Sequence, residues 1–152
     1  CKVVTTMDPE IVTDEVIDAM INENKDLAVV YSGDAAYILS ENERMGYYMP
    51  KEGTNLWVDA MVIPKNADNP KLANTYIDFM LEYENSKRNS LFVGYTSGNG
   101  EVLEELSGEG GEFEGNEAYL PRSGYEKDEI FHYNEKARKL ISELWTKVKI
   151  SK

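Results

Sequence analysis

The stretch Leu56-Trp57-Val58-Asp59-Ala60-Met61-Val62-Ile63-Pro64 decides how this chain is read. It has strand length and an apolar side chain at nearly every position, so it predicts a buried strand covered on both faces. An aspartate there is costly unless a cation pairs with it. Trp57 and Asp59 are two residues apart, which on a strand puts them on one face. An aromatic face beside a carboxylate can hold an organic ammonium ion, by cation–π attraction from one group and Coulomb attraction from the other. The competing reading is a strand-end Asp that caps a loop or pairs with a Lys of its own chain.

The elements on either side place this strand in an α/β domain. A helix is expected over about Pro9 to Asn24, with Thr13-Asp14-Glu15 as an alternative start. Leu27–Tyr31 reads as a short strand ending at Ser32-Gly33, followed by a helix from near Asp34. Met45–Met49 reads as another strand, and Pro50-Lys51-Glu52-Gly53 as a turn. Asn69 and Pro70 suit the N-cap and first residue of a helix whose buried side is Leu72, Tyr76, Phe79, Met80 and Tyr83. Helices are also expected over about Asn85–Val93 and Glu101–Leu106. Ser107–Gly115, rich in Gly and Glu, reads as a solvated loop, and a long amphipathic helix is expected from about Lys127 to Lys149. The order helix–strand–helix–strand–strand–helices predicts a mixed sheet flanked by helices.

Composition narrows the function. The 152 residues are 41% hydrophobic and 29% charged, an ordinary globular mixture. A net charge of −12 disfavours nucleic acid and anionic membranes as partners; it favours cationic ligands, although charge alone is explained more simply by solubility. One cysteine, Cys1, excludes a disulfide within the chain, and one histidine, His132, leaves no material for a Cys/His zinc site. Cys1 reads as the start of a fragment, with a lipid-bearing first residue as the alternative. No stretch reaches the roughly 18 apolar residues of a membrane span.

Known catalytic patterns are missing from the sequence. The glycine-rich stretch Gly108–Gly115 carries carboxylates that would repel phosphate, and it lacks the alternating acids of a calcium loop. Tyr31-Ser32-Gly33-Asp34 lacks the flanking glycines of a nucleophile elbow. No nucleophile–base pair stands out, so a binding protein without a cofactor is expected rather than an enzyme. Tyr31, Trp57 and Tyr95 stand at strand or helix ends, where loops of open α/β sheets converge on ligands. Singly each suits core packing; together beside Asp59 they outline an aromatic box.

Three segments carry a family resemblance: Tyr31-Ser32-Gly33-Asp34-Ala35-Ala36, Leu56-Trp57-Val58-Asp59 with Ile63-Pro64-Lys65-Asn66-Ala67, and Gly94-Tyr95-Thr96. Here the chain resembles the C-terminal half of bacterial spermidine/putrescine-binding proteins, the substrate-capturing subunits of polyamine ABC importers. The likeness runs from about Asp14 to Val148 and is poor over Glu101–Lys127. It implies an incomplete periplasmic-binding-protein-like fold of type II, with residues 1–58 and 103–152 in the second lobe and 59–102 in the first. A compact or swapped repacking of the whole fragment is the alternative.

By the same resemblance, Trp57 stacks on the polyamine, Asp59 pairs with an ammonium, and Tyr95 contacts the ligand. Tyr31 stands where some members have Trp, and Glu129 is the candidate for a polar contact near the last helix. The implied partners are a polyamine, an ABC transporter permease, and either the missing N-terminal half or a second copy of the chain. The implied location is the periplasm or, lipid-anchored, the outer face of the cytoplasmic membrane. Another organic cation as ligand, or a self-associating interaction module, are the alternative functions.

Overall fold

The computed structural model describes residues 4, 6–120 and 122–150; Cys1, and with it the question of a lipid anchor, lies outside the described residues. Helix α1 (Glu15–Ile21) starts where Glu15 accepts hydrogen bonds from the backbone N–H and hydroxyl of Thr13. This is the later of the two starts open in the sequence. Helix α2 (Ser32–Glu41) follows Tyr31 and buries Gly33, Ala35, Ala36 and Ile38. α1 packs against α2, and Asn42 Nδ2 donates to Ile21 O at 2.9 Å, tying the two C-terminal ends together.

Strand β1 is only Asn55–Leu56. Helix α3 (Pro70–Leu81) begins as its sequence predicts, with Leu72 N–H donating to Asn69 Oδ1 at 3.0 Å and Pro70 in the first turn. Glu82, with φ −56° and ψ 143°, breaks it from α4 (Tyr83–Val93). α4 closes on Gly94 in the left-handed conformation, φ 69°. Asn99 caps α5 (Gly100–Ser107) through Glu101 N–H at 3.0 Å. Strand β2 (Glu129–Ile130) runs parallel to β1, Asn55 opposite Glu129 and Leu56 opposite Ile130. Helix α6 (Glu135–Ile150) ends the described chain, with Lys147 and Lys149 at the negative end of its dipole.

Several expectations need correction. The strand expected over Leu56–Ile63 is two residues long, and Val58 and Val62 are about 80% exposed. A strand is buried on both faces only where neighbours cover it, and β2 reaches no further than Leu56. Leu27–Tyr31 and Met45–Met49 lack ladder partners and are not strands among the described residues. The last helix starts at Glu135, because residues up to Ile130 are drawn into β2. On α3, Leu72, Tyr76 and Phe79 are exposed. The described sheet is thus a two-stranded parallel ladder in a mostly helical chain.

The core lies where the sequence likeness was poorest. Val102 and Leu106 of α5 meet Phe113 and Tyr119, whose rings stack at 4.1 Å with Tyr83 and Leu103 alongside. The glycine-rich stretch is therefore tethered to the core by Phe113 and is only partly solvated. A second cluster joins Ala35 and Ala36 of α2 to Ala118. Among the described residues, no helix is long and apolar enough to cross a membrane.

Candidate ligand-binding cleft

Tyr31, Trp57 and Tyr95 come from three separate segments and meet at one edge of the fold. Tyr31 is extended, φ −70° and ψ 153°, at the N-cap of α2. Trp57 follows β1 directly, and Tyr95 follows the glycine that closes α4. The Trp57 ring sits edge-on to both neighbours, 6.0 Å from Tyr31 at 71° and 5.3 Å from Tyr95 at 74°. Such T-shaped pairs are favoured by the ring quadrupoles, at about 0.5–1.5 kcal/mol each beyond area burial.

The backbone holds this cluster tightly. Buried Ser90 of α4 donates from its hydroxyl to Tyr95 O at 2.5 Å and lies 2.8 Å from the Tyr119 hydroxyl, so the core of Phe113 and Tyr119 fixes the loop that carries Tyr95. The Tyr95 ring lies directly over Gly33, where a Cβ would stand 2.5 Å from its Cε2 and Cζ. On the other side, Asp128 Oδ1 accepts from Thr54 N–H at 2.8 Å, and Glu129 N–H donates to Thr54 O at 3.1 Å, fixing the residue before β1.

Tyr31, Asn55, Trp57, Asp59 and Tyr95 line an open cleft of about 460 Å³. Asp59 is exposed at its edge, not enclosed in a strand, and among the described residues it makes no ion pair. The Tyr95 phenol is pushed up from its ordinary range by burial first, then by the charge of Asp34 and more weakly by Tyr31 and Asp59, against a hydrogen bond with the Gly33 backbone. Asp59 brings a carboxylate to the cleft edge that no described Lys, Arg or His pairs with, which suits a cation.

Of the five residues singled out in the sequence, four converge here. Glu129 does not line the cleft: it faces Asn55 across the ladder, but its Oε1 lies 3.2 Å from His132 Nδ1 in an exposed pair. Asn55 is a lining residue that the sequence reading passed over. The signal was present, because alternation puts Asn55, Trp57 and Asp59 on one face.

A larger open groove, about 780 Å³, runs between α2 and the C-terminal end of α4 past Asp34, Phe92 and Glu112. Asp34 is raised above the usual carboxylate range by burial and then by Asp14, against a hydrogen bond with the Tyr31 backbone. That groove has volume but no set of facing aromatic rings, so the smaller cleft is the better candidate. Among the described residues no cluster of three acids, His or Cys is placed to hold a metal.

Comparison with known proteins agrees with a binding role. The chain is 34% identical over 88 residues to a putrescine/agmatine-binding protein of Pseudomonas aeruginosa, covering 54% of this chain and 24% of that protein. It is 28% identical over 94 residues to spermidine/putrescine-binding periplasmic protein 1 of Haemophilus influenzae, covering 62% and 26%. A putrescine/cadaverine-binding protein of P. aeruginosa is 27% identical over 128 residues, covering 79% and 35%. The chain therefore spans about a quarter to a third of the length of these relatives. No solved structure gives a significant match. The pattern of the bacterial extracellular solute-binding proteins matches residues 4–117, three quarters of the chain, and the chain belongs to that family.

Proposed function

We propose that this chain is part of the polyamine-capturing component of an ABC importer, with spermidine or putrescine as ligand. The observation that carries the reading is the cleft of three aromatic rings with an unpaired carboxylate at its edge. Rings offer cation–π attraction along the methylene and ammonium surface of a flexible polycation, and Asp59 offsets the loss of water at one amine. The names of the relatives point to the same ligands, and to export into the periplasm. Residues 1–58 and 103–152 would belong to one lobe and 59–102 to the other, which close over the ligand and present it to the permease, or the whole would pack as one compact or swapped domain, as the contacts of Tyr83 and Ser90 with the Phe113–Tyr119 core favour. Glu129, one strand from Asn55, would join the site if closure released it from His132.

The test is titration of spermidine and putrescine into the full-length protein, read by tryptophan emission. Trp145→Phe removes the contribution of α6 and leaves Trp57 as the reporter within this chain. Saturable quenching or enhancement is expected. Asp59→Asn should weaken binding roughly 30-fold, the low end for a desolvated charge pair, because this carboxylate starts exposed. A flat titration, or unaltered affinity in Asp59→Asn, would count against polyamine capture.

A further inference from the structure

Among the described residues, Asn55 Oδ1 is the buried side-chain polar atom that has no hydrogen-bond partner. Asn55 also forms part of the cleft wall with Trp57 and Asp59. Native structures rarely leave such an acceptor unpaired without a reason, since its desolvation is a net loss until a donor arrives. Its backbone is held in register opposite Glu129, and its neighbour Thr54 is fixed by Asp128. Its Oδ1 is closed off from solvent as it stands, so an N–H in the cleft reaches it by a turn about the terminal torsion, which for Asn is soft and broad.

Building on the polyamine reading, we propose that Asn55 is a specificity-determining ligand contact, its side-chain oxygen accepting an N–H of the bound amine. The reason lies in donor counts. A primary ammonium has three N–H donors and a protonated secondary amine has two. Aromatic faces attract the positive charge but accept these donors weakly, and Asp59 accepts from one amine. A quaternary ammonium has no N–H at all, yet rings and a carboxylate would attract it nearly as well. The Tyr31 and Tyr95 hydroxyls and Asp59 can also accept an N–H, but Asn55 adds the contact with a penalty attached: with an N–H ligand its acceptor is satisfied, and with a permethylated one it stays buried and unpaired. Rejection by an unpaired polar group is the stronger kind of discrimination.

The experiment compares putrescine with its bis-trimethylammonium analogue on the full-length protein, in the wild type, Asn55→Leu and Asn55→Asp. The wild type should prefer putrescine. Asn55→Leu should lose about tenfold in putrescine affinity, the scale of one hydrogen bond to a charged donor. It should bind the permethylated analogue unchanged, so the preference narrows by the same factor. Its ligand-free melting temperature should rise, because an orphaned acceptor has been replaced by an apolar side chain. Asn55→Asp keeps an acceptor and should keep the preference. Equal losses for both ligands in Asn55→Leu, or a lost preference in Asn55→Asp, would overturn the assignment. If the wild type binds neither compound, the polyamine reading itself fails; if it binds putrescine and Asn55→Leu binds it equally well, only the role of Asn55 fails.

Discussion

Gly33 shows how much of the cleft depends on a single missing side chain. Its Cα lies under the Tyr95 ring, and Gly94 approaches from the other side, where a Cβ would sit 3.0 Å from Gly33 O. Gly94 needs its glycine for the positive φ as well. In Gly33→Ala the new methyl stands 2.5 Å from two atoms of the Tyr95 ring. The ring must swing away, and its edge contact with Trp57 is lost. That contact is worth about 0.5–1.5 kcal/mol, so on the proposed function the affinity for putrescine should fall roughly three- to tenfold. Near-ultraviolet circular dichroism of the aromatic cluster should change in the ligand-free protein. An unaltered spectrum with unaltered affinity would mean that Tyr95 does not help to shape the cleft. At this scale part of the arrangement was readable: Tyr31, Trp57, Asp59 and Tyr95, grouped in the sequence as an aromatic box beside a carboxylate, line one cleft. What could not be read was the setting of Asp59. A run of apolar residues reports the capacity to be buried, and burial itself depends on partners elsewhere in the chain.

At the scale of elements, the two strands are held by a clamp outside the ladder. Arg122 donates from Nε to Asp128 Oδ2 at 2.7 Å and from a terminal nitrogen to Asp128 Oδ1 at 2.6 Å, a bidentate pair. The same guanidinium reaches Pro50 O at 2.8 Å and stacks on Tyr125, 3.8 Å from the ring centroid. The Asp128 side chain is only 1% exposed. Arg122 chiefly, with Thr54 N–H, holds its carboxyl below the usual range, against the cost of burial. A carboxyl lowered on folding adds stability that is full above the ordinary Asp range and is lost as pH falls through the lowered value. The melting temperature should therefore drop as pH falls below about 4. Asp128→Asn should be less stable at neutral pH and should flatten that drop. Arg122→Met should be worse than Asp128→Asn, because it leaves a buried carboxylate without its cation. A melting curve with the same acid limb in Asp128→Asn would assign the acid sensitivity to other carboxylates. None of this clamp was legible beforehand: Arg122 and Asp128 lie six apart in an irregular loop, where neither helical nor strand periodicity applies. The caps at Asn69 and Asn99 are the contrasting case. The first was read directly, because a helix start is a local event of three or four residues.

At the scale of the whole molecule, the accessible surface is 12,202 Å² for 17.3 kDa. A folded monomer of that mass is expected to expose about 7,800 Å². The excess, roughly 4,400 Å², marks a chain that covers less of its own surface than a closed monomer of this mass does. It is apolar in the places that matter: Leu140, Ile141 and Trp145 on α6 are between 46% and 64% exposed, and Tyr76 and Phe79 on α3 are about as open. Val148 is the buried residue among the described positions of α6. The stripe that the sequence showed on this helix is real as a pattern, but it is not covered by the described residues. Exposed apolar side chains of this kind favour association in water. The 152-residue chain on its own should therefore self-associate at micromolar concentration, observed by light scattering as a mass above 17.3 kDa. Charged substitutions at Leu140 and Trp145 should shift the population toward monomer. They should leave the helical circular dichroism in place, because both side chains stand largely outside the core. A compact monomer at high concentration, unaffected by those substitutions, would show that the open surface is tolerated by solvent.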